Sequence, residues 1–419
     1  ITAKISYDTG AGTIDYIGGW RHLNQGYINE YNANATNKYA GYIIVDNGTN
    51  DEWSQEVKYN TSLFDDRVKL TTGAFYMQEI SNDRSTTFTG GTTSFNPTGD
   101  TIYRFKAQTA AYYAQGDIKL TDALTLTLGG RYTWEEKTLH FTPSSQFSGL
   151  GFGDTQVQSY GIPLKLTTNR FTPRVAVSYK VTPAIMLFAS ATNGFKSGGW
   201  NALITKASQA LSFRPEKTWS YEAGFKSDWF DHKLRLNVTG YLANTDDLQA
   251  SAAILVQGTT ASLSFNAGTQ RVYGVEVESS AKLGNLTLFA NPSFMHGEYT
   301  YISPQALTLS TSLSPVRTPT FQFSGGATYE KPVEAIKGSL GATLAYRHNS
   351  SYWVSVLNTT HTLTEDYLDL GAYYRTSDDR LTVGVDVTNL FNQTTVTANF
   401  LSLFPGDPRR VTARVKLKI

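Results

Sequence analysis

The chain has no cysteine among its 419 residues, which excludes disulfides, thiolate metal sites and cysteine nucleophiles together. Net charge is scarce as well. Lys and Arg total 36 against 35 Asp and Glu, leaving +1, a balance that points to no nucleic-acid partner. No apolar run approaches the ~18 residues of a membrane-spanning helix, and helical periodicity is hard to find anywhere. The N-terminal ITAKISYDTG lacks the charged and apolar regions of a signal peptide and opens directly on strand-like alternation. The six histidines are scattered without ligand spacing, so no protein metal site is expected.

What the chain has in quantity is aromatic residues and glycine: 25 Tyr, 22 Phe, 7 Trp and 35 Gly, with only 17% charged residues. It is too aromatic to be disordered, and its apolar residues recur with a period of two. The segment TWSYEAGFKSDWF (218–230) divides by alternate residues into Trp219, Tyr221, Ala223, Phe225, Ser227 and Trp229 on one face, and Ser220, Glu222, Gly224, Lys226 and Asp228 on the other. LTLTLGGRYTW (124–134), LRLNVTGYL (234–242) and LTVGVDVT (381–388) divide the same way. About seventeen such segments follow one another. Their connections alternate between short turns (TGAG near Gly10, LFDDR near Asp65, TDA at Asp122, FDHK at Asp231, LGN at Gly284, SDDR at Asp378) and long segments near 23–51, 81–102, 139–169, 197–217, 246–269, 301–319, 350–362 and 393–409.

Tight turns at one rim and large loops at the other are the mark of an outer-membrane barrel. Trp219 and Trp229 lie ten residues apart on one face. At ~3.3 Å per residue and a tilt of ~40° they stand about 25 Å apart along the barrel axis, the height of an apolar band between aromatic girdles. The fold expected is therefore all-β: a transmembrane antiparallel up-and-down β-barrel over residues 1–419, with Trp219, Tyr221 and Trp229 at the girdles and outer-membrane lipid as their solvent. An odd strand count places the two chain ends at opposite rims, whereas bacterial single-chain barrels have even numbers. The chain is thus expected to be the C-terminal portion of a longer protein.

Catalysis finds little support. GLGFGD (149–154) is glycine-rich but lies in a long loop with no following helix, the wrong setting for a phosphate-binding turn. His348 and Ser350 stand two apart at the outer end of a strand, which suits a rim better than a hydrolase pair. No catalytic residue and no cofactor is expected.

NGFKSGGWN (193–201), RPEKTWSYEAGFKSDWF (214–230), NVTGYLANTDDLQ (237–249), NAGTQRVYGVEVE (266–278), VTNLFNQ (387–393) and PGDPRRV (405–411), with EWSQEVKY (52–59) before them, resemble in order and spacing the barrel strands of TonB-dependent outer-membrane receptors. The resemblance covers essentially the whole chain. It implies a 22-stranded barrel with a plugged lumen, driven by TonB through a plug domain that has no counterpart in this sequence. It also implies import of a scarce ligand: a ferric siderophore first, a glycan or other organic nutrient second. A plug-free porin is the competing class.

On this reading Arg131, Arg174, Glu222, Lys226, Asp228, Glu276 and Glu278 face the lumen and are candidates for contact with a plug. Ligand contacts are expected from aromatic residues of the long loops: Tyr27, Tyr31, Tyr39, Tyr42, Trp200, Phe213 and Trp353. Their ring faces suit aryl chelators by stacking and sugars by packing. No strongly basic cluster is visible in the loops.

Overall fold

The computed structural model describes residues 1–31, 39, 41–91, 93–399 and 403–418. Seventeen strands pair antiparallel, each with its neighbours in chain order, into one sheet. The first eight are Thr2–Asp8, Gly12–Glu30, Tyr42–Leu63, Val68–Gly90, Phe95–Lys119, Leu124–Thr142, Lys165–Thr182 and Ile185–Lys196. Then come Glu216–Trp229, Leu234–Val256, Thr259–Leu283, Leu286–Ile302, Phe321–Val333, Gly338–Asn349, Glu365–Thr376, Leu381–Thr388 and Arg410–Leu417. Among the described residues Thr2–Asp8 pairs only with Gly12–Glu30, and Arg410–Leu417 only with Leu381–Thr388.

The turns at one rim are as tight as their sequences require. Phe64, Asp65 and Asp66 all take left-handed backbone, as do Phe230, Asp231 and His232. Gly284, with φ of +62°, sits where a side chain would be strained.

The opposite rim differs from expectation. The segments 23–51, 81–102 and 246–269 are mostly strand, with connections reduced to residues 31–41, 91–94 and 257–258. Tyr27 therefore lies on a strand, and Tyr42 begins the next one. Strands of 22–25 residues result, at least twice the ~9–11 needed to cross a bilayer. Beyond the membrane both faces of such a hairpin are wet. The apolar alternation that identifies a strand then disappears, while the ladder of backbone hydrogen bonds continues.

In 246–269 the alternation does not disappear but changes face. Register shifts lie between Thr245 and Leu248 on one strand and between Asn266 and Gly268 on its partner, with Asp247 in left-handed backbone at φ +54°. An inserted residue moves every following side chain to the other face. Leu234, Leu236, Val238 and Leu242 lie on the outer face with Tyr273 and Val275 of the partner strand. Beyond the bulges, Ala252, Ile254, Val256, Ala261, Leu263 and Phe265 are buried together with Leu139, Phe141, Phe152, Val157, Ile162, Ile204, Ala207 and Leu309. The apolar core thus sits at the long-loop rim, where segments 143–164, 197–215 and 303–320 fold onto the strand extensions.

Those loops define the inner face. Leu139 and Phe141, buried beneath them, share a strand face with Arg131. The outer face is rich in exposed apolar side chains: Tyr112, Leu128, Tyr132, Phe171, Val175, Leu187, Tyr221, Trp229, Leu344 and Val385. Ser227, the polar member of its outer face, is buried; it accepts the Trp229 indole N–H at 2.9 Å and donates to the Leu236 carbonyl at 2.6 Å. Both its bonds are made within the wall, as a polar group facing lipid requires.

Candidate ligand-binding site

Two adjoining cavities open on the inner face at the long-loop rim. One, of about 250 Å³, is lined by Ser81, Asp83, Tyr103, Phe105, Lys137, Leu139, Gly199, Trp200, Ala202 and Phe213. The other, of about 120 Å³, shares Asp83 and Tyr103 and adds Gln25, Tyr27, Asp46 and Leu203. The strands place Tyr27 and Asp46 on one rung and Asp83 and Tyr103 on the next rung of the same face, since Asp46 pairs Ser85 and Asp83 pairs Gly48.

Segment 197–215 supplies the opposite wall. Its Gly199–Trp200 and Ser212–Phe213 form a two-residue ribbon. It is fastened at each end by side chains that complete backbone bonds. Lys137 donates to the Gly198 carbonyl at 2.9 Å, and Ser197 donates to Glu135 at 2.9 Å. The Trp200 indole donates to the Pro163 carbonyl at 2.6 Å. Asn201 bridges to the Ser264 backbone through both ends of its amide, and Gln249 donates to the Ser197 and Arg214 carbonyls. An aromatic pair is thereby held over the cavity without relying on the loop's own propensity.

The electrostatics of this cavity follow from its carboxylates. The bond to Asp46, and then burial, push the Tyr27 hydroxyl up to about 12. Burial, then Asp83 and Asp46, raise Tyr103 further. Burial, then Asp46 and Glu79, raise the Asp83 carboxyl above its ordinary range. The phenols therefore remain proton donors at neutral pH, flanked by aromatic faces, while Lys137 is paired with Glu135 at 3.2 Å. Such a cavity stacks planar groups and donates hydrogen bonds to oxygen acceptors.

A larger cavity of about 700 Å³ lies at the same rim among the last strands, lined by Arg347, Tyr352, Glu365, Tyr367, Thr388, Asn389, Asp407, Arg409 and Arg410. Arg347 lies over the Tyr367 ring at 5.3 Å and pairs with Asp369 at 3.2 Å. Asn389 donates to the Gln393 and Asp407 carbonyls and so holds both beside the end of its strand. Three arginines converge here, two adjacent in the sequence and the third far from both.

Of the seven aromatic residues named from sequence, Tyr27, Trp200 and Phe213 line the two adjoining cavities. Tyr31 and Tyr42 pack on each other, with ring centroids 4.8 Å apart, and Tyr39 packs edge-on to Phe95 at 5.7 Å. Trp353 stands in a different segment, edge-on to His361. Tyr103, Phe105 and Asp83 escaped notice because their stretch reads as polar loop. Arg347, Arg409 and Arg410 escaped because 62 positions separate Arg347 from Arg409, although the Arg409–Arg410 dipeptide is a visible signal.

The seven charged residues named for the lumen share the inner face. Arg131 lies over the Phe75 and Tyr113 rings at 5.3 and 5.8 Å. Arg174 donates to Thr192 at 3.2 Å. Lys226 lies over Phe188 at 5.7 Å, and Asp228 pairs with Arg235 at 2.9 Å. Asn237 donates to Glu278 at 3.3 Å, while Glu222 and Glu276 flank the Tyr241 strand position from neighbouring strands. His348 bonds Asp366 at 2.8 Å, whereas Ser350 accepts from the Phe321 backbone at 3.1 Å and forms no bond to His348.

The family model described as "TonB dependent receptor-like, beta-barrel" matches residues 2–390. The metal-pseudopaline receptor CntO of Pseudomonas aeruginosa (strain UCBPP-PA14) is 26% identical over 262 residues, 60% of this chain and 34% of that receptor. The ferric-pyoverdine M114 receptor PbuA of Pseudomonas sp. (strain M114) is 33% identical over 198 residues, 46% of this chain and 21% of that receptor. The chain therefore spans about a third or less of these relatives. Among solved structures, the ferric yersiniabactin uptake receptor FyuA from Yersinia pestis superposes with a TM-score of 0.78 at 19% identity, over 99% of this chain and 58% of that one.

Proposed function

The chain belongs to the TonB-dependent receptor-like β-barrel family of the Gram-negative outer membrane, and we propose that it forms the ligand-binding wall of a receptor importing a metal chelate, a ferric siderophore first. The observation that carries this reading is the convergence of Tyr27, Tyr103, Trp200 and Phe213 on adjoining inner-face cavities at the long-loop rim. A ligand arriving from outside meets aromatic faces and phenolic donors there before it meets the charged wall below. The names of the relatives agree: pseudopaline, pyoverdine and yersiniabactin receptors all carry metal–organic chelates in their descriptions.

TonB enters as the partner that supplies energy, through a plug contacting the inner face. Arg131, Arg174, Glu222, Lys226, Asp228, Glu276 and Glu278 are the side chains offered to such a plug. Several of them already have partners in the wall, so the plug would meet hydrogen bonds that exchange rather than bare charges. Polar contacts of this kind yield under force more readily than a packed apolar interface would.

The test is binding of a panel of ferric siderophores to the whole receptor in detergent, followed by iron uptake in cells. Trp200→Ala is expected to weaken the bound chelate roughly 10-fold, as loss of one aromatic contact worth about 1–1.5 kcal/mol requires. Phe213→Ala should act in the same direction. Unchanged affinity in both variants, with ligand still bound by wild type, would place the site elsewhere. Binding of glycans but of no chelate would overturn the substrate class.

A further inference from the structure

The two adjoining cavities at the inner face hold carboxylates that no cation neutralises. We propose that they receive a protonated amine carried by the ligand, a step that rests on the reading of these cavities as the ligand site. Asp83 lines both cavities and Asp46 the smaller one. The two carboxylates stand on successive rungs of one face and on neighbouring strands, which makes them diagonal neighbours about 7 Å apart. A Cβ at Gly48, the ladder partner of Asp83, would collide with Asp83 Oδ1. The glycine thus gives that carboxylate its place against the strand.

The cations that line these cavities are engaged elsewhere. Lys137 pairs with Glu135 at 3.2 Å and donates to the Gly198 carbonyl at 2.9 Å. Arg84 is held by Asp100 through Nε at 2.9 Å and Nη2 at 2.8 Å. Among the described residues neither Asp46 nor Asp83 forms an ion pair. Burial, then the charges of Asp46 and Glu79, raise the Asp83 carboxyl, and a positive charge placed among them offsets that repulsion. A further acceptor beside the larger cavity lacks a donor. Asn50 donates to Ser81 of the cavity wall at 2.7 Å, while its own Oδ1 is buried without a partner among the described residues.

Around this excess of acceptors stand Tyr27, Tyr103, Phe105, Trp200 and Phe213. Ring faces attract a cation through their quadrupoles, most strongly where water is excluded, and carboxylates anchor its N–H groups by charge-assisted bonds. A neutral group gains neither attraction, and an anionic one is repelled. Among the described residues no three carboxylate or imidazole groups converge as a metal site requires, so the geometry suits an organic ammonium rather than a bare metal ion. At about 120 Å³ the smaller cavity admits an alkylammonium arm, with the chelated metal held outside it.

The experiment uses the whole receptor, purified in detergent, and a pair of linear ferric trihydroxamates that differ only at a terminal amine, free in one and N-acetylated in the other. Phenethylammonium, with phenethyl alcohol as its neutral counterpart, serves as the metal-free pair. In each pair the cation is expected to bind about 10-fold more tightly. The Asp46→Asn/Asp83→Asn variant should lose that preference, while Glu334→Gln, in a turn at the opposite rim, retains it. The heat-modified shift in gel mobility, which reports the folded barrel, verifies that each variant is folded. Equal binding within each pair, an unchanged preference in the double variant, or no binding of any probe would overturn the proposal. Binding of the ammonium but of neither chelate, with its preference lost in the double variant, would keep the amine site and count instead against the metal-chelate reading.

Discussion

Phe225→Arg is expected to destabilise the barrel by about 2–4 kcal/mol, the cost of a cation at the bilayer midplane of an outer-membrane barrel. Phe225 lies six residues from Trp219 and four from Trp229 on the outer face, and its cross-strand partners are Leu187 and Val238. An arginine there has no carboxylate within its rung and is about two turns of the pleat from either interface. The neighbouring residue makes the control. Lys226 is on the inner face, exposed, with its ammonium 5.7 Å from the Phe188 ring. Lys226→Gln removes one exposed cation–π contact and should stay within about 1 kcal/mol. Guanidinium unfolding in lipid vesicles measures both. Equal costs for the two variants would mean that this strand does not divide lipid from lumen.

The same strand explains how much of the fold is legible in the sequence. Within the bilayer the solvent differs on the two faces, so every alternate residue carries information. Trp219 to Trp229 could be assigned a face one residue at a time, and the number of such segments agrees with the seventeen strands observed. Above the bilayer that asymmetry vanishes. SNDRSTTFTGGTTSFNPTGD (81–100) has no apolar phase, yet most of it is strand. In 246–269 the phase is present but inverted on each strand by its own bulge, at Asp247 on one and at Ala267 on its partner, so the apolar residues Ile254, Leu263 and Phe265 serve the cap core rather than lipid. The candidate site inherits this difficulty. Trp200 and Phe213 are conspicuous as aromatics in a glycine-rich loop, whereas Tyr103 and Asp83 become neighbours only through a ladder the sequence does not announce.

Asp100→Ala is expected to release the rim that forms the site. Asp100 is fully buried and joins three elements. It accepts from Arg84 Nε at 2.9 Å and Nη2 at 2.8 Å, from Thr86 at 2.8 Å, and from Ser144 at 2.5 Å. Its backbone N–H donates to Leu150 at 3.3 Å, and Phe147 of the same loop packs on Phe88 and beneath Arg84. The next residue, Thr101, donates to the Ile204 carbonyl of the second loop. Two successive strand residues thus fasten both loop 143–164 and segment 197–215, the latter carrying Trp200 and Phe213. Removing one partner of a buried pair costs about 3–5 kcal/mol; because the Arg84 side chain is a third exposed, the lower end, about 3 kcal/mol, applies. The strands below keep their ladder, so the loss should be local: hydrogen exchange across 143–164 accelerates by about 100-fold while the membrane strands keep their protection. Burial by itself would raise the Asp100 carboxyl, but the bonds from Arg84, Ser144 and Thr86 outweigh it and hold the carboxyl below its usual range. A lowered folded value means that this stabilisation is present above the unfolded carboxylate range and is lost as pH falls through the folded value. Wild-type exchange in 143–164 should therefore rise toward that of Asp100→Ala only at pH well below 4, and Asp100→Asn should remove the acid dependence. Exchange in 143–164 that is unmoved by Asp100→Ala at pH 7 would show that the core beneath the loops, and not this cluster, holds the rim closed.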